Sequence, residues 1–411
     1  MSPGTVFSIV LLLASGAISQ NSSNSESPPT APRVVDVKAA DGIVLKGTYF
    51  AAAKPGPGVI LFHQSNRTRE SWSSVARQLA VAGINVLTVD SRAHGESGGT
   101  VEDVRQKRQG DLEAVFRFLT SQSGVKRDVI GLAGAGSHGV VNEVEIARVH
   151  PADVKSLVLI SGETFRPGIE FLHDASHLPE LFVVADNDEY PPTVEAMLWL
   201  YARASSPSRK LIRYSAVQEA PWLWYETNDV SRVLAKGGGH GTDLFGDHPD
   251  LPGIIVQWFV TTLIRSPGHA PADPLAAANI LNQLATPGGA AQVKEQLIEA
   301  RRKDPKVELW PEVSADIIGS GYLREGETKP AIEVFQLNLL AYPDSADANG
   351  NLADAYLQDG QKDLAREYAQ KALALLDSHA APASSWSDTE QRRGEIRKGI
   401  EDVLKKLNGG R

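Results

Sequence analysis

A serine, two aspartates and a histidine fall in this chain in an order that suits acyl-transfer chemistry. Ser137 lies in "VIGLAGAGSHGVV", a strand-like run turning through glycines into a helix. Asp186 and Asp188 close "LFVVADNDEYPP", and His240 sits in the glycine-rich "KGGGHGTDLF". A serine hydroxyl is a weak nucleophile until an imidazole takes its proton, and the imidazole needs a carboxylate to hold its tautomer. A serine on a strand-to-helix turn, an acid ending a later strand and a histidine later still is a known chain order for such a triad. Read this way, His240 deprotonates Ser137, Asp188 orients His240, and a carboxylic ester or related acyl bond is cleaved through an acyl-enzyme. Asp188 is preferred over Asp186, which stands at the strand end in a turn-capping place.

The corner can be framed in two ways. A sharp nucleophile turn brings the residues two before and two after the nucleophile together, so both should be small. With Ser137 at the apex these are Ala135 and Gly139; with Gly136 they are Gly134 and His138, and an imidazole would crowd the turn. Sterics favour Ser137. The other frame leaves Gly136 in the nucleophile position and implies a hydrolase-like protein that binds or scaffolds without catalysing. An oxyanion hole needs backbone N–H groups; the amides of His138 and Gln64 are the candidates, with Ser65 next. Asn66, Arg67 and Arg69 are candidates for the entrance. Trp222, Trp224 and Tyr225 gather in the long stretch between Tyr214 and His240 and are candidates for a substrate-facing wall. His63 reads as support for the oxyanion loop and His94 as structural. No pair of histidines has ligand spacing, so no metal is expected, and no phosphate-cradling Gly-x-x-x-x-Gly-Lys run occurs.

These residues need a scaffold of alternating strands and helices. "VVDVKA", "IVLKGTYF", "GVILFH", "INVLTVD", "DVIGLAG", "VKSLVLISG", "ELFVVAD" and "KLIRY" read as strands. "SWSSVARQLAVAG", "VRQKRQGDLEAVFRFLTSQ" and "GIIVQWFVTTLI" have helical spacing. Such alternation predicts a mostly parallel sheet with helices on both faces. After "SPGHAPADP" the strand pattern stops. Gly319, Tyr322, Ala331, Phe335 and Pro343 have the spacing of a tetratricopeptide repeat, whose period is about 34 residues. Ala353, Tyr356, Ala365, Ala369 and Ala372 form a second copy. Ser387–Glu390 is a capping box for a last helix. The expected layout is a signal peptide over 1–19, a polar linker over 20–32, the catalytic domain over 33–266, and an all-α domain over 275–408 with repeats at about 312–345 and 346–379.

Residues of about 34–265 resemble an α/β-hydrolase of the dienelactone-hydrolase-like branch. The resemblance rests on "GVILFHQS", "VLTVDSRAHGESGG", "GLAGAGSHG", "SLVLISG", "FVVADND" and "GGGHGTDLF" in that order. It implies Ser137 as nucleophile, Asp188 as acid, His240 as base and no cofactor. It departs at Ala135, which replaces the first glycine of the turn in the Ser137 frame. The dienelactone hydrolases proper use a cysteine nucleophile, and this chain has no cysteine. That lack also excludes disulfides and thiolate metal sites.

The 411 residues carry a net charge of -9, which gives no sign of a nucleic-acid or anionic-membrane partner. With 42% hydrophobic and 22% charged residues the chain can build a sizeable core. "VFSIVLLLA" is too short to span a bilayer and is followed by small residues, so it reads as a signal for export to a periplasm or beyond. The expected partners are a small acyl substrate and, through the repeats, a protein or a second copy.

Overall fold

A computed structural model describes residues 31–185, 188–214, 239–272, 280–286, 288–305, 307, 309–310, 312–378 and 390–409. The signal peptide and most of the linker lie outside the described residues, as do Asp186, the cluster Trp222, Trp224 and Tyr225, and residues 387–389 of the capping box.

Among the described residues eight strands form one sheet in the order β1-β2-β4-β3-β5-β6-β7-β8. They are β1 (Arg33–Lys38), β2 (Val44–Phe50), β3 (Gly56–Phe62), β4 (Asn85–Val89), β5 (Val125–Ala135), β6 (Val154–Ile160), β7 (Glu180–Ala185) and β8 (Lys210–Tyr214). Only β2 runs against the others: it pairs antiparallel with β1 and β4, and every pairing from β4 across to β8 is parallel. This is the mostly parallel, helix-covered sheet that the alternation of strands and helices predicts. Central strands are buried on both faces, which explains their continuous apolar runs. Side chains still alternate: Ile60, Phe62, Leu132, Leu157 and Leu159 enter one core, and Val59, Leu61, Ala133, Val158 and Ile160 the other.

Helices α1 (Ser73–Val81) and α6 (Leu251–Phe259) cover the second face. Helices α2 (Val101–Ser121), α3 (Gly136–Val149), α4 (Arg166–Asp174) and α5 (Pro191–Arg203) cover the first. No helix among the described residues is long and apolar enough to cross a membrane.

Beyond these the elements among the described residues are helices: α7 (Ile280–Leu284), α8 (Gly289–Lys303), α9 (Glu312–Glu325), α10 (Thr328–Ala341), α11 (Ala346–Gln358), α12 (Lys362–Asp377) and α13 (Glu390–Asn408). Two helix pairs, α9–α10 and α11–α12, turn in the same way. The first helix of each ends at a left-handed glycine, Gly326 (φ 82°) and Gly360 (φ 80°). The next N–H then reaches back five residues, Glu327 to the Tyr322 carbonyl (2.9 Å) and Gln361 to that of Tyr356 (2.8 Å). This is the Schellman closure, which satisfies carbonyls the helix end would leave orphaned. Ala353, Ala365, Ala369 and Ala372 are fully buried where these helices cross.

Helix α5 belongs to both halves. Val194, Met197, Leu198 and Tyr201 pack in the sheet's core, whereas Trp199 and Ala202 pack in the helical core. Val313 and Ile317 of α9 return the contact to the sheet side.

Candidate active site

The candidate residues gather at the carboxyl ends of the parallel strands, where ligands bind in open α/β sheets. β3 ends into His63 and Gln64, β5 into Gly136, β7 into Asp188, and His240 arrives from the loop ahead of α6.

Asp188 and His240 are brought together. The His240 Nδ1–H donates to Asp188 Oδ1 at 2.9 Å, and Oδ2 is 3.1 Å away. The Tyr190 N–H donates to the same Oδ1 at 2.9 Å. Asp188 is 1% and His240 7% exposed, so this hydrogen bond lies out of bulk water and holds the imidazole with Nε2 as the outward atom. The Tyr190 ring stands edge-on to the imidazole, centroids 4.7 Å apart.

Ser137 is not the residue at the apex of the turn, which corrects the favoured frame. The left-handed backbone falls on Gly136, with φ of 63°. A Cβ on Gly136 would stand 3.0 Å from His240 Nε2 and 2.7 Å from Gln64 Cβ. Ser137 follows as the next residue of α3, and among the described residues no hydrogen bond joins it to His240. The steric argument for Ser137 fails for two reasons. The close approach in this corner is between Gly134 and Gly139, since a Cβ on Gly134 would stand 2.3 Å from the Gly139 carbonyl carbon. The His138 ring does not enter the turn; it swings aside between His63 (centroids 5.7 Å) and His94 (5.0 Å).

That imidazole trio is not arranged for a metal. His63 Nδ1–H donates to the Gln64 carbonyl (2.7 Å) and its Nε2 accepts from the Ser91 N–H (3.0 Å), so both nitrogens are engaged. Burial, with the neighbouring His63, His94 and Arg108, pushes His138 down to about 3, so it stays neutral. The His138 N–H lies among the first N–H groups of α3, which have no acceptor within the helix.

Gln64 acts through its side chain, which sequence reasoning missed. Its Nε2 donates to the His240 carbonyl (2.7 Å), and its Oε1 accepts from the N–H (2.9 Å) and hydroxyl (2.8 Å) of Thr242. Arg67 adds a second tie between the same loops, with Nε 2.9 Å from Asp243 Oδ1. Arg69 is buried and pairs with Asp90 and Glu96, so it does not line an entrance. Tyr190 was also missed; nothing in its local sequence marks it. Elsewhere Glu312, Asp316 and Asp347 bring carboxylate oxygens within 4.8 Å of one another. Asn338 Nδ2 donates to Asp316 at 2.9 Å, and Ser345 donates to Glu312.

No protein-family model matches this chain. Thiohydrolase aneE of Aspergillus aculeatus is 31% identical over 110 residues, 26% of this chain and 34% of that protein, so the match spans about a third of the relative. Among solved structures, an esterase of Pyrococcus furiosus is 18% identical with a TM-score of 0.44, covering 57% of this chain and 92% of its own. A dienelactone hydrolase of Anabaena variabilis is 18% identical with a TM-score of 0.40, covering 58% of this chain and 100% of its own.

Proposed function

We propose that the protein is a hydrolase of carboxylic esters or thioesters in which His240, oriented by Asp188, is the general base. The observation that carries this reading is the buried Nδ1–carboxylate hydrogen bond of 2.9 Å that leaves Nε2 turned to the apex of the β5–α3 turn. A general base must sit within hydrogen-bond reach of the proton it takes, and Nε2 faces the place where an acyl carbon would be attacked. The N–H groups opening α3 supply donors for the developing oxyanion. The name of the aneE relative, a thiohydrolase, agrees with an acyl bond as substrate.

The helix pairs α9–α10 and α11–α12 are read as two tetratricopeptide repeats capped by α13, with a partner protein or a second copy as their ligand. Their matching glycine closures support this reading.

The test is hydrolysis of p-nitrophenyl butyrate and a butyryl thioester by wild type, His240→Ala and Asp188→Asn. General-base catalysis contributes about 10²- to 10⁴-fold, so His240→Ala should lose kcat by that range at unchanged fold. A folded wild type without turnover would favour the second reading, a binding protein, which the glycine at position 136 also suits.

A further inference from the structure

We propose that the nucleophile here is water held over Gly136 and deprotonated directly by His240, so that hydrolysis proceeds in one displacement without an acyl-enzyme. The inference rests on the hydrolase reading above and names what attacks. Gly136 holds the backbone place from which a nucleophile would project: it is the left-handed residue between β5 and α3. It faces the base, since its Cβ position lies 3.0 Å from His240 Nε2. A glycine carries no hydroxyl to be acylated, yet the base–acid pair that would serve one is complete. Ser137, the next residue of α3, makes no hydrogen bond to His240. Among the described residues no other side-chain hydroxyl or carboxylate makes a hydrogen bond to His240 Nε2.

A water oxygen at about 2.8 Å from Nε2 replaces the hydroxyl that a serine would bring to this point. In the reaction Nε2 takes one water proton, and the water oxygen bonds to the acyl carbon. The carbonyl π pair moves to oxygen and is held by the N–H groups opening α3. The tetrahedral species then collapses, the bond to the leaving sulfur or oxygen breaks, and the imidazolium returns its proton to that atom. The products are a carboxylic acid and a thiol or alcohol, and His240 is neutral again. Without a covalent step the enzyme gains no second, easier barrier, so the substrate class must be already activated: thioesters and aryl esters rather than alkyl esters or amides.

Wild type is incubated with an excess of a fluorophosphonate, analysed by intact mass, and assayed on p-nitrophenyl butyrate and the butyryl thioester. A parallel turnover is quenched in acid and weighed for an acylated chain. The expected result is turnover that survives the probe, with no phosphonate adduct and no acylated protein. Gly136→Ala, whose methyl would stand 3.0 Å from Nε2 and crowd a water bound to it, should lose more than about 100-fold in kcat with an unchanged circular dichroism spectrum. If that variant does not fold, the wild-type mass measurements decide alone. A phosphonate or acyl adduct on any serine, or loss of turnover in Ser137→Ala, overturns the proposal while leaving the protein a hydrolase. Absence of turnover in wild type overturns the hydrolase reading and this one together.

Discussion

At the scale of single residues, two buried carboxyls give the molecule a pH dependence separate from its chemistry. Glu143 on α3 and Glu180 at the start of β7 are both fully buried. Burial pushes each carboxyl well above the usual carboxylate range, and Glu180 adds repulsion at Glu143. Both are neutral in the folded protein at mildly acid pH. As pH rises past the ordinary carboxylate value, the unfolded chain releases protons that the folded chain keeps, so stability falls with pH. The slope reaches about 1.4 kcal/mol per pH unit for each such group. Glu143→Gln keeps the shape and removes one titration. Its stability advantage over wild type, read from urea midpoints, should grow between pH 5 and pH 8. Parallel profiles for the two proteins would show that Glu143 does not carry this effect.

Between elements, the site depends on loops that have no regular structure to hold them. The histidine loop is tied to the end of β3 by Gln64 and by the Arg67–Asp243 pair. The Arg67–Asp243 pair is partly exposed and is worth about 0–1 kcal/mol. The Gln64 amide is buried, and losing it strands the His240 carbonyl and the Thr242 N–H, at about 1–3 kcal/mol. Gln64→Met should therefore lower the unfolding midpoint and also reduce kcat, because the imidazole loses the backbone anchor beneath it. Arg67→Ala should change the midpoint little. A Gln64→Met protein with wild-type kcat and stability would remove Gln64 from the positioning role.

Across the whole molecule, α5 makes the two halves cooperate. It begins three residues after Asp188 and ends among the helices of the second half. The Trp199 ring lies on Gly321, where a Cβ would come within 2.4 Å of it, and its Nε1 donates to Glu325 at 3.1 Å. Arg203 pairs with Glu325 (3.3 Å) and Glu327 (3.4 Å) beside it. Truncating a buried tryptophan costs about 3–5 kcal/mol. Trp199→Ala should therefore lower the midpoint of one shared transition, seen alike by near-UV and far-UV circular dichroism. Because α5 also anchors the acid loop, kcat should fall with it. Two separate transitions in wild type would show that the halves unfold independently.

The sequence by itself determined the alternation of strands and helices, the repeated helix pairs and the residue types available for acid–base work. Those properties are local: period, spacing and turn glycines act within about 10 residues of chain. Eight strand-like runs correspond to the eight strands, and Asp188 and His240, which meet in a hydrogen bond, both stand in turns that the sequence marks. Helix α5 was not legible, because an apolar helix buried on all sides has no amphipathic period to read. The clamp of Gln64 on His240 spans 176 residues and leaves no local mark. The choice between Gly136 and Ser137 shows most clearly what only the tertiary structure decided. The two differ by one position, yet it is Gly136 that carries the left-handed backbone and faces His240. The choice follows from the contact of Gly134 with Gly139 and from the space between His63 and His94 that receives the His138 ring. Sequence alone could show that a small, glycine-rich turn was needed there; only the packing around it, by α3 and by the loops that carry His63, His94 and His240, determined which residue of that turn faces the base.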